Sequence, residues 1–301
     1  MNAEALSGRA GEDAKSRSQA RLLSIAVLAW FFAIAVVYGP LLERLWRNWQ
    51  ADENYSHGFL VGPIAAVLAW RQRDRLRAAA RRPAAAGLFI VLASLVLFLV
   101  GSLGAELFTA RVSLVGVLAG TIVYVWGWPR FRIVAFPVAF LLFMIPLPTI
   151  VFDPLTASLQ LVASDFGERL LRVADVLVFR DGNVLTLSTI TLSVTEACSR
   201  IPSLMSLLTI TTLSAFLFEP TLVRRIALMA AAVPLAIGLN ALRVAATGIA
   251  ASRYGPEMAK GLIHEASGWA IFLCALLGIA MLHRAMRVIA RSAPAVVPEV
   301  A

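Results

Sequence analysis

Charge is what this sequence has least of. Only 15% of its 301 residues are charged, 59% are hydrophobic, and the mean hydropathy is +0.80. A soluble domain of this length carries far more charged surface, so a water-soluble enzyme is excluded. Cysteine is scarce too: Cys198 and Cys274 permit at most one bridge. The topology below puts them at different depths, so two free thiols and no disulfide framework are expected. No face gathers the four ligands of a closed zinc site, and neither a metal nor an organic cofactor is expected. Despite a net charge of +9, there is no continuous basic face or nucleic-acid motif, so nucleic acid is not an expected partner. Repeats and low-complexity blocks are missing, although Met1–Ser18 and Ser292–Ala301 read as tails.

What the sequence does have is apolar runs near the length that spans a bilayer, recurring throughout. Eight spans are expected: Leu22–Leu42, Gly58–Trp70, Ala84–Leu103, Val112–Trp126, Ile133–Pro148, Cys198–Phe218, Ile226–Ala250 and His264–Leu282. The first follows a basic tail, but it is long for a signal core and no small-x-small cleavage site follows, so it reads as a retained anchor. Basic residues sit in short clusters between the runs, which suits a membrane with anionic lipid. With the N-terminus inside, the inside segments hold Arg9, Lys15, Arg17, Arg21, the run Arg71 to Arg82, Arg130, Arg132, Arg224, Arg225, Arg284, Arg287 and Arg291. Most acids fall outside. This positive-inside pattern predicts that both termini are cytoplasmic. The expected organisation is a tail over 1–21, a membrane domain over 22–287 and a second tail over 288–301.

The longest outside segment, Thr149–Thr195, is expected to form an extracytoplasmic cap. Leu155, Leu159, Val162, Phe166, Leu170, Val173 and Leu177 recur at helical spacing, predicting an amphipathic helix over Pro154–Val178 on the membrane surface or over the bundle. Asp181-Gly182-Asn183, followed by alternating apolar residues, predicts a short hairpin within Phe179–Thr195. The fold class is thus an all-α polytopic bundle with a small cap.

Four segments carry the candidate chemistry. In TEACSRIPSL (Thr195–Leu204), either Thr195 caps the sixth span or Pro202 opens it. Both put Cys198 within about a turn of a helix N-terminus, where a thiolate is favoured. The bland alternative is a small packing residue. In NALRVAATG (Asn240–Gly248), Arg243 lies inside the seventh span, where a cation is costly and is a functional candidate by default. The alternative is a structural arginine paired with Glu196 or Glu265. Asn240, three residues earlier, orients the guanidinium or bonds another helix. In HEASGWAIF, His264 opens the eighth span as a candidate acid or base. In NYSHGFLV, Tyr55 suits the interface and His57 is a competing histidine, whereas His283 falls at the inside end. One topology brings Cys198, Arg243 and His264 to the outer face. Nucleophile, cation and acid are the parts that acyl transfer on a peptide bond requires.

TEACSRIPSL, NALRV and HEASG, preceded by NYSHGFLV, resemble the exosortase/archaeosortase family of membrane-embedded cysteine transpeptidases over roughly Leu22 to Arg287. The resemblance implies Cys198, Arg243 and His264 as the catalytic set, with Glu196, Ser199, Arg200, Asn240, His57 and Tyr55 supporting or binding substrate. It implies a bacterial inner-membrane enzyme whose site faces the periplasm. The implied substrates are exported proteins whose C-terminal sorting tail has a short motif (often Pro-Glu-Pro), a hydrophobic span and a basic cluster. One departure is clear: Arg200 and Pro202 stand where the family commonly has a glycine and a cation. Arg200 reads either as a charge displaced by one turn or as the mark of a specialised or impaired site. A transporter or channel, and a non-catalytic subunit of a polysaccharide-export or surface-assembly system, are the rival readings. No matched pair of broken spans points to a transporter.

Overall fold

A computed structural model describes residues 25–292 except 26, 27, 31, 189, 194–203, 256 and 258–260; the side chains of 53, 261–265, 267 and 289–292 also lie outside it. Helix α1 (Leu28–Ala51) leads through a 3-10 turn (Glu53–Tyr55) into α2 (Gly58–Arg71) and α3 (Arg73–Ala78). Then come α4 (Ala86–Leu103), α5 (Leu107–Trp126) and α6 (Trp128–Phe140), the last extended by a 3-10 segment, Leu141–Met144. The cap comprises α7 (Thr149–Val173) and strands β1 (Val178–Asp181), β2 (Val184–Leu187) and β3 (Thr191–Ser193). Helices α8 (Leu204–Phe218), α9 (Leu222–Tyr254) and α10 (Gly261–Ser292) close the order.

This is a helical, multi-pass membrane fold. Five helices are long and apolar enough to cross a membrane: α1, α4, α5, α9 and the Gly268–Val288 part of α10. A sixth crossing arises if α6 and α7, bent by 81° at the break between them, count as one broken span. Every expected span contains an apolar helix, but α2 and α8 have 14 and 15 described residues. That is short of the roughly 20 that a bilayer needs. By length and composition the described residues give five or six crossings, and the expected count of eight is not confirmed. The first six residues of the expected sixth span lie outside the described residues.

Glycine brings α4 and α5 together as an antiparallel pair. A Cβ on Gly120 would stand 2.8 Å from the Val91 backbone nitrogen and 2.9 Å from the Gly87 carbonyl. Close approach of small residues is what holds helices together where lipid supplies no hydrophobic drive. Around this pair, Tyr38, Leu45, Val61, Ala110, Val117 and Phe140 form the core of the first half. Two of its polar contacts tie helices together: Tyr38 Oη and Ser113 Oγ lie 2.9 Å apart, and Trp49 Nε1 donates to the Met144 carbonyl at 2.9 Å. In the second half, Leu207, Ala215, Leu228, Ala232, Ala275 and Ile279 knit α8, α9 and α10.

The cap differs from expectation in two ways. Its helix begins at Thr149 and ends at Val173, where Asp175 takes a positive φ of 58° and reverses the chain. Of the two expected placements, the one over the bundle is observed, with α7 running along α9: Gly167 faces Ala241 and Val244, and Leu171 meets Gly248. The hairpin is present, with Asp181 opposite Val184 and Gly182 at φ +60° as the first residue of a two-residue turn, the position type II′ turns give to glycine. A third strand joins it, β3 pairing antiparallel with β2. Leu185 and Leu187 of the sheet pack inward on Ala163, Leu171, Val244 and Ala245.

Candidate functional site

Helix α9 is the post on which the site is built. Its 33 residues make it about 50 Å long. Beyond Asn240 it turns small, with Ala241, Val244, Ala245 and Gly248 all buried, which lets α7 and the sheet close over it. Arg243 lies within that stretch and is only 2% exposed, the largest of the fully buried side chains. Burying a guanidinium is tolerated only with polar company, and neither Arg243 nor Asn240 is without a partner.

One turn inward of Arg243 lies a cavity of about 150 Å³. Its walls are Phe152, Leu155 and Leu159 of α7, Leu204 and Leu207 of α8, Ile237 and Leu239 of α9, and Ile271, Phe272 and Ala275 of α10. Set among them are Thr156 and three carboxamides: Asn54, Gln160 and Asn240. Gln160 Oε1 accepts a hydrogen bond from Asn183 at the hairpin tip, 3.2 Å away, so the cap reaches the cavity rim.

Glu196, Cys198, Ser199 and Arg200 lie outside the described residues. Of the described residues on either side of them, Leu192 packs against Gly248 of α9 and Leu204 lines the same cavity as Asn240. Gly248 and Asn240 are eight residues apart, about 12 Å on a helix, and Arg243 lies between them. His264 is in the first turn of α10, its side chain outside the described residues. Contact between Leu235 and Gly278 fixes the register of α9 on α10. It sets Arg243 level with Ala270 and the His264 backbone six residues further out, about 9 Å. Of the three residues, Arg243 alone has a described side chain. Cys274, the second cysteine, is a free, exposed thiol.

Tyr55 and His57 sit where the two halves meet. His57 Nε2 is 3.1 Å from the Phe143 carbonyl and Nδ1 is 3.2 Å from Ser206 Oγ. The carbonyl can only accept, so Nε2 carries a proton toward it. Burial pushes the His57 pKa below its usual value, against the hydrogen bonds to Phe143 and Asn54 that favour the charged ring. Both nitrogens are thus spent joining the 3-10 segment to α8. Tyr55 is buried against Phe152 and His57, with ring centroids 6.0 and 6.4 Å away. Its hydroxyl faces the Leu147 backbone without meeting hydrogen-bond geometry.

Several features escaped the sequence reading. Gln160 and Asn54 carry no signal of their own, since only the packing of α7 beside the start of α2 brings them to Asn240. Arg111 is 3% exposed, and its neighbour Glu106 spends both oxygens capping α5 at Phe108 and Thr109. It stands just before the expected fourth span, where an arginine reads as interfacial, so it lacked the signal that marked Arg243 inside a span. Among the described residues no three His, Cys, Asp or Glu side chains gather as a metal site would require.

A family model described as Transmembrane exosortase (Exosortase_EpsH) matches residues 49–281. The chain belongs to that family. The match covers every element from the end of α1 into α10, including the cap and the cavity. Exosortases are membrane cysteine proteases or transpeptidases, which sets the class of chemistry at the level of the family. No curated protein matches the chain, and no solved structure does.

Proposed function

We propose that this exosortase cleaves C-terminal sorting tails of exported proteins by an acyl-enzyme mechanism, with Cys198, Arg243 and His264 as its catalytic set. The observation that carries this reading is the burial of Arg243, a charged side chain, on α9 one turn from the cavity. The Cys198 thiolate attacks the scissile carbonyl carbon and forms the C–S bond. Arg243 stabilises the thiolate and then the oxyanion, the kind of preorganised charge worth about 10²–10³ in rate. As the C–N bond breaks, His264 protonates the departing amine. Water or an acceptor amine then releases the acyl group and restores the thiol. Asn240 orients Arg243, and Glu196, Ser199 and Arg200 line the approach. His57 and Tyr55 act as supports, His57 by holding α8 to the 3-10 segment.

The site faces the periplasm across a bacterial inner membrane, with both termini in the cytoplasm. The arginines support this orientation. Arg81 donates to the Val125 carbonyl and Arg130 to the Ala79 carbonyl, gathering one basic cluster at the end remote from the cap. Arg224, Arg225, Arg284 and Arg287 lie at the matching ends of α9 and α10.

The test is co-expression with a reporter ending in a Pro-Glu-Pro motif, a hydrophobic span and a basic cluster. Wild type removes the tail, whereas Cys198→Ala, at matched membrane levels, leaves it intact. Equal removal by both proteins eliminates Cys198 as the nucleophile. If neither removes it, Arg200→Gly is expected to restore cleavage when Arg200 has silenced the site.

A further inference from the structure

We propose that the corner between α1 and α5, on the cap side of the membrane, binds a phosphate group carried by a membrane lipid, with Arg44 and Arg111 as its cations. The site uses none of the residues assigned to the chemistry, and the proposal does not depend on the peptidase reading.

The starting point is a buried cation without a counter-ion. Trp30 Nε1 donates to Thr121 Oγ1 at 3.0 Å and Tyr38 Oη meets Ser113 Oγ, so α1 and α5 run antiparallel. Arg111 lies in the seam between them, 3% exposed, with its Nε enclosed and unpartnered. Asn48 of α1 is a neutral partner. With its carboxamide nitrogen donating to the Arg44 carbonyl at 3.0 Å, its oxygen accepts from Arg111 Nη2 at 3.2 Å. The charges that face Arg111 are Glu106 and, of like sign, Arg44. The nearby acids are engaged elsewhere: Glu106 caps α5 with both oxygens, and Glu43 pairs with Arg47 at 2.6 Å. Among the described residues, no ion pair reaches Arg44 or Arg111. A buried charge left unpaired is costly, and a second cation beside it adds to that cost. An anion seated on Arg44 relieves both.

Depth identifies the anion. The 20 residues of α5 make about 30 Å, the thickness of the hydrocarbon core. Its first residue, Leu107, therefore stands at one boundary, with Arg111 four residues, about 6 Å, inside it. From there Arg111 reaches Asn48, three residues before α1 ends at Ala51. Trp46 and Trp49, on the same stretch of α1, pack on Phe59 at centroid separations of 4.7 and 5.2 Å. Trp46 is half-exposed, and such aromatic groups mark the headgroup level. Tyr55, packed on Phe152 of α7, puts this end of α1 on the cap side. Phosphate is the anion that lipids hold at this level, and paired guanidinium donors match its oxygens. Arg44 is exposed and supplies those contacts. Arg111, enclosed, acts through its charge, which the protein interior screens little.

The experiment titrates the full chain in maltoside micelles with dioleoylphosphatidylglycerol and counts bound lipid by native mass spectrometry. One saturable, tight site is expected. Dioleoylglycerol, with the same chains and no phosphate, leaves it empty, and inorganic phosphate competes only at far higher concentration. Arg111→Gln weakens the site about tenfold, what a unit charge about 12 Å away is worth at an effective dielectric of about 20. Arg44→Glu puts a carboxylate beside Arg111 and abolishes binding. Position 44 is exposed, so this variant decides if Arg111→Gln does not fold. Arg253→Glu makes the same charge change at the cap end of α9 and leaves binding unchanged. Equal binding of the two lipids, equal binding by wild type and Arg44→Glu, or an equal loss in Arg253→Glu overturns the proposal. Inorganic phosphate binding as tightly as the phospholipid overturns the lipid as its source.

Discussion

The α4–α5 pair makes a quantitative test of how this bundle is held. In Gly120→Ala the new methyl meets the Val91 nitrogen and side chain at 2.8 Å and the Gly87 carbonyl at 2.9 Å. Ordinary contact between such atoms is about 3.5–4.0 Å. Backbone atoms cannot rotate away, so the two helices must part by about 0.6–1.2 Å near the crossing. Overpacking of this kind costs about 1–3 kcal/mol. Replacing glycine by alanine also favours a helix by about 1 kcal/mol, and that gain must be removed before the cost is read. Gly62 in α2 supplies the reference, because a Cβ there meets nothing within 4 Å. The propensity gain is common to both sites, so the difference between Gly120→Ala and Gly62→Ala isolates the overpacking, about 1–3 kcal/mol. Equilibrium unfolding in mixed micelles titrated with denaturing detergent reads both variants against wild type. Gly62→Ala is expected to equal or exceed wild type. If the two variants agree within about 0.5 kcal/mol, the ordinary scatter of neutral substitutions, glycine contact is not what holds α4 to α5.

Three further outcomes follow from described contacts. Glu219, whose side chain is wholly buried, pairs with His283 Nδ1 at 2.5 Å. Glu219→Ala is expected to cost about 3 kcal/mol, because it strands a half-buried partner. Glu219→Gln keeps a hydrogen bond and costs about 1 kcal/mol; thermal unfolding in detergent separates them, and equal losses refute the pairing. His57 titrates below the free-histidine value, so the unfolded chain binds the extra proton first. Its contribution is complete above about pH 6.5 and is lost as pH falls from there through the lowered folded value. A melting-temperature series from pH 8 to 5 should therefore decline less for His57→Gln than for wild type. Arg180 bonds Glu168 at 2.7 Å and lies 3.6 Å from Asp165, clamping β1 on α7. Arg180→Ala should speed hydrogen exchange in β1 and β2 while leaving α4 and α5 unchanged; uniform exchange across both regions would show that the clamp is not local.

The helices were legible because hydropathy depends on composition, which a single chain displays in full. Arg243 was legible for the same reason, as a charge out of place. What the chain hides is partnership. His283 reads as an inside-end histidine until Glu219, 64 positions away, is seen beside it. Strand β3 was missed because no Gly, Asn or Pro separates Leu187 from Thr191, and its place is fixed only by pairing to β2. The count of eight is not confirmed, for a physical reason: α2 and the described part of α8 are apolar but shorter than a bilayer needs, so length alone does not decide whether they cross. Legible as a turn, Gly182-Asn183 gave no hint that Asn183 would reach Gln160 and link the cap to the cavity.

The length of α9 has a consequence of its own. About 50 Å of helix stands in hydrocarbon only about 30 Å thick, so about 20 Å must protrude or be absorbed by tilt. The cap is fastened to the outer stretch by Gly248, Val244 and Ala245, so the protein fixes the distance from cavity to cap as a ruler would. The surrounding lipid can vary while that interval does not. A thicker bilayer would drown the cap's underside and a thinner one would lift the cavity toward water. The fixed interval therefore suits one range of bilayer thickness.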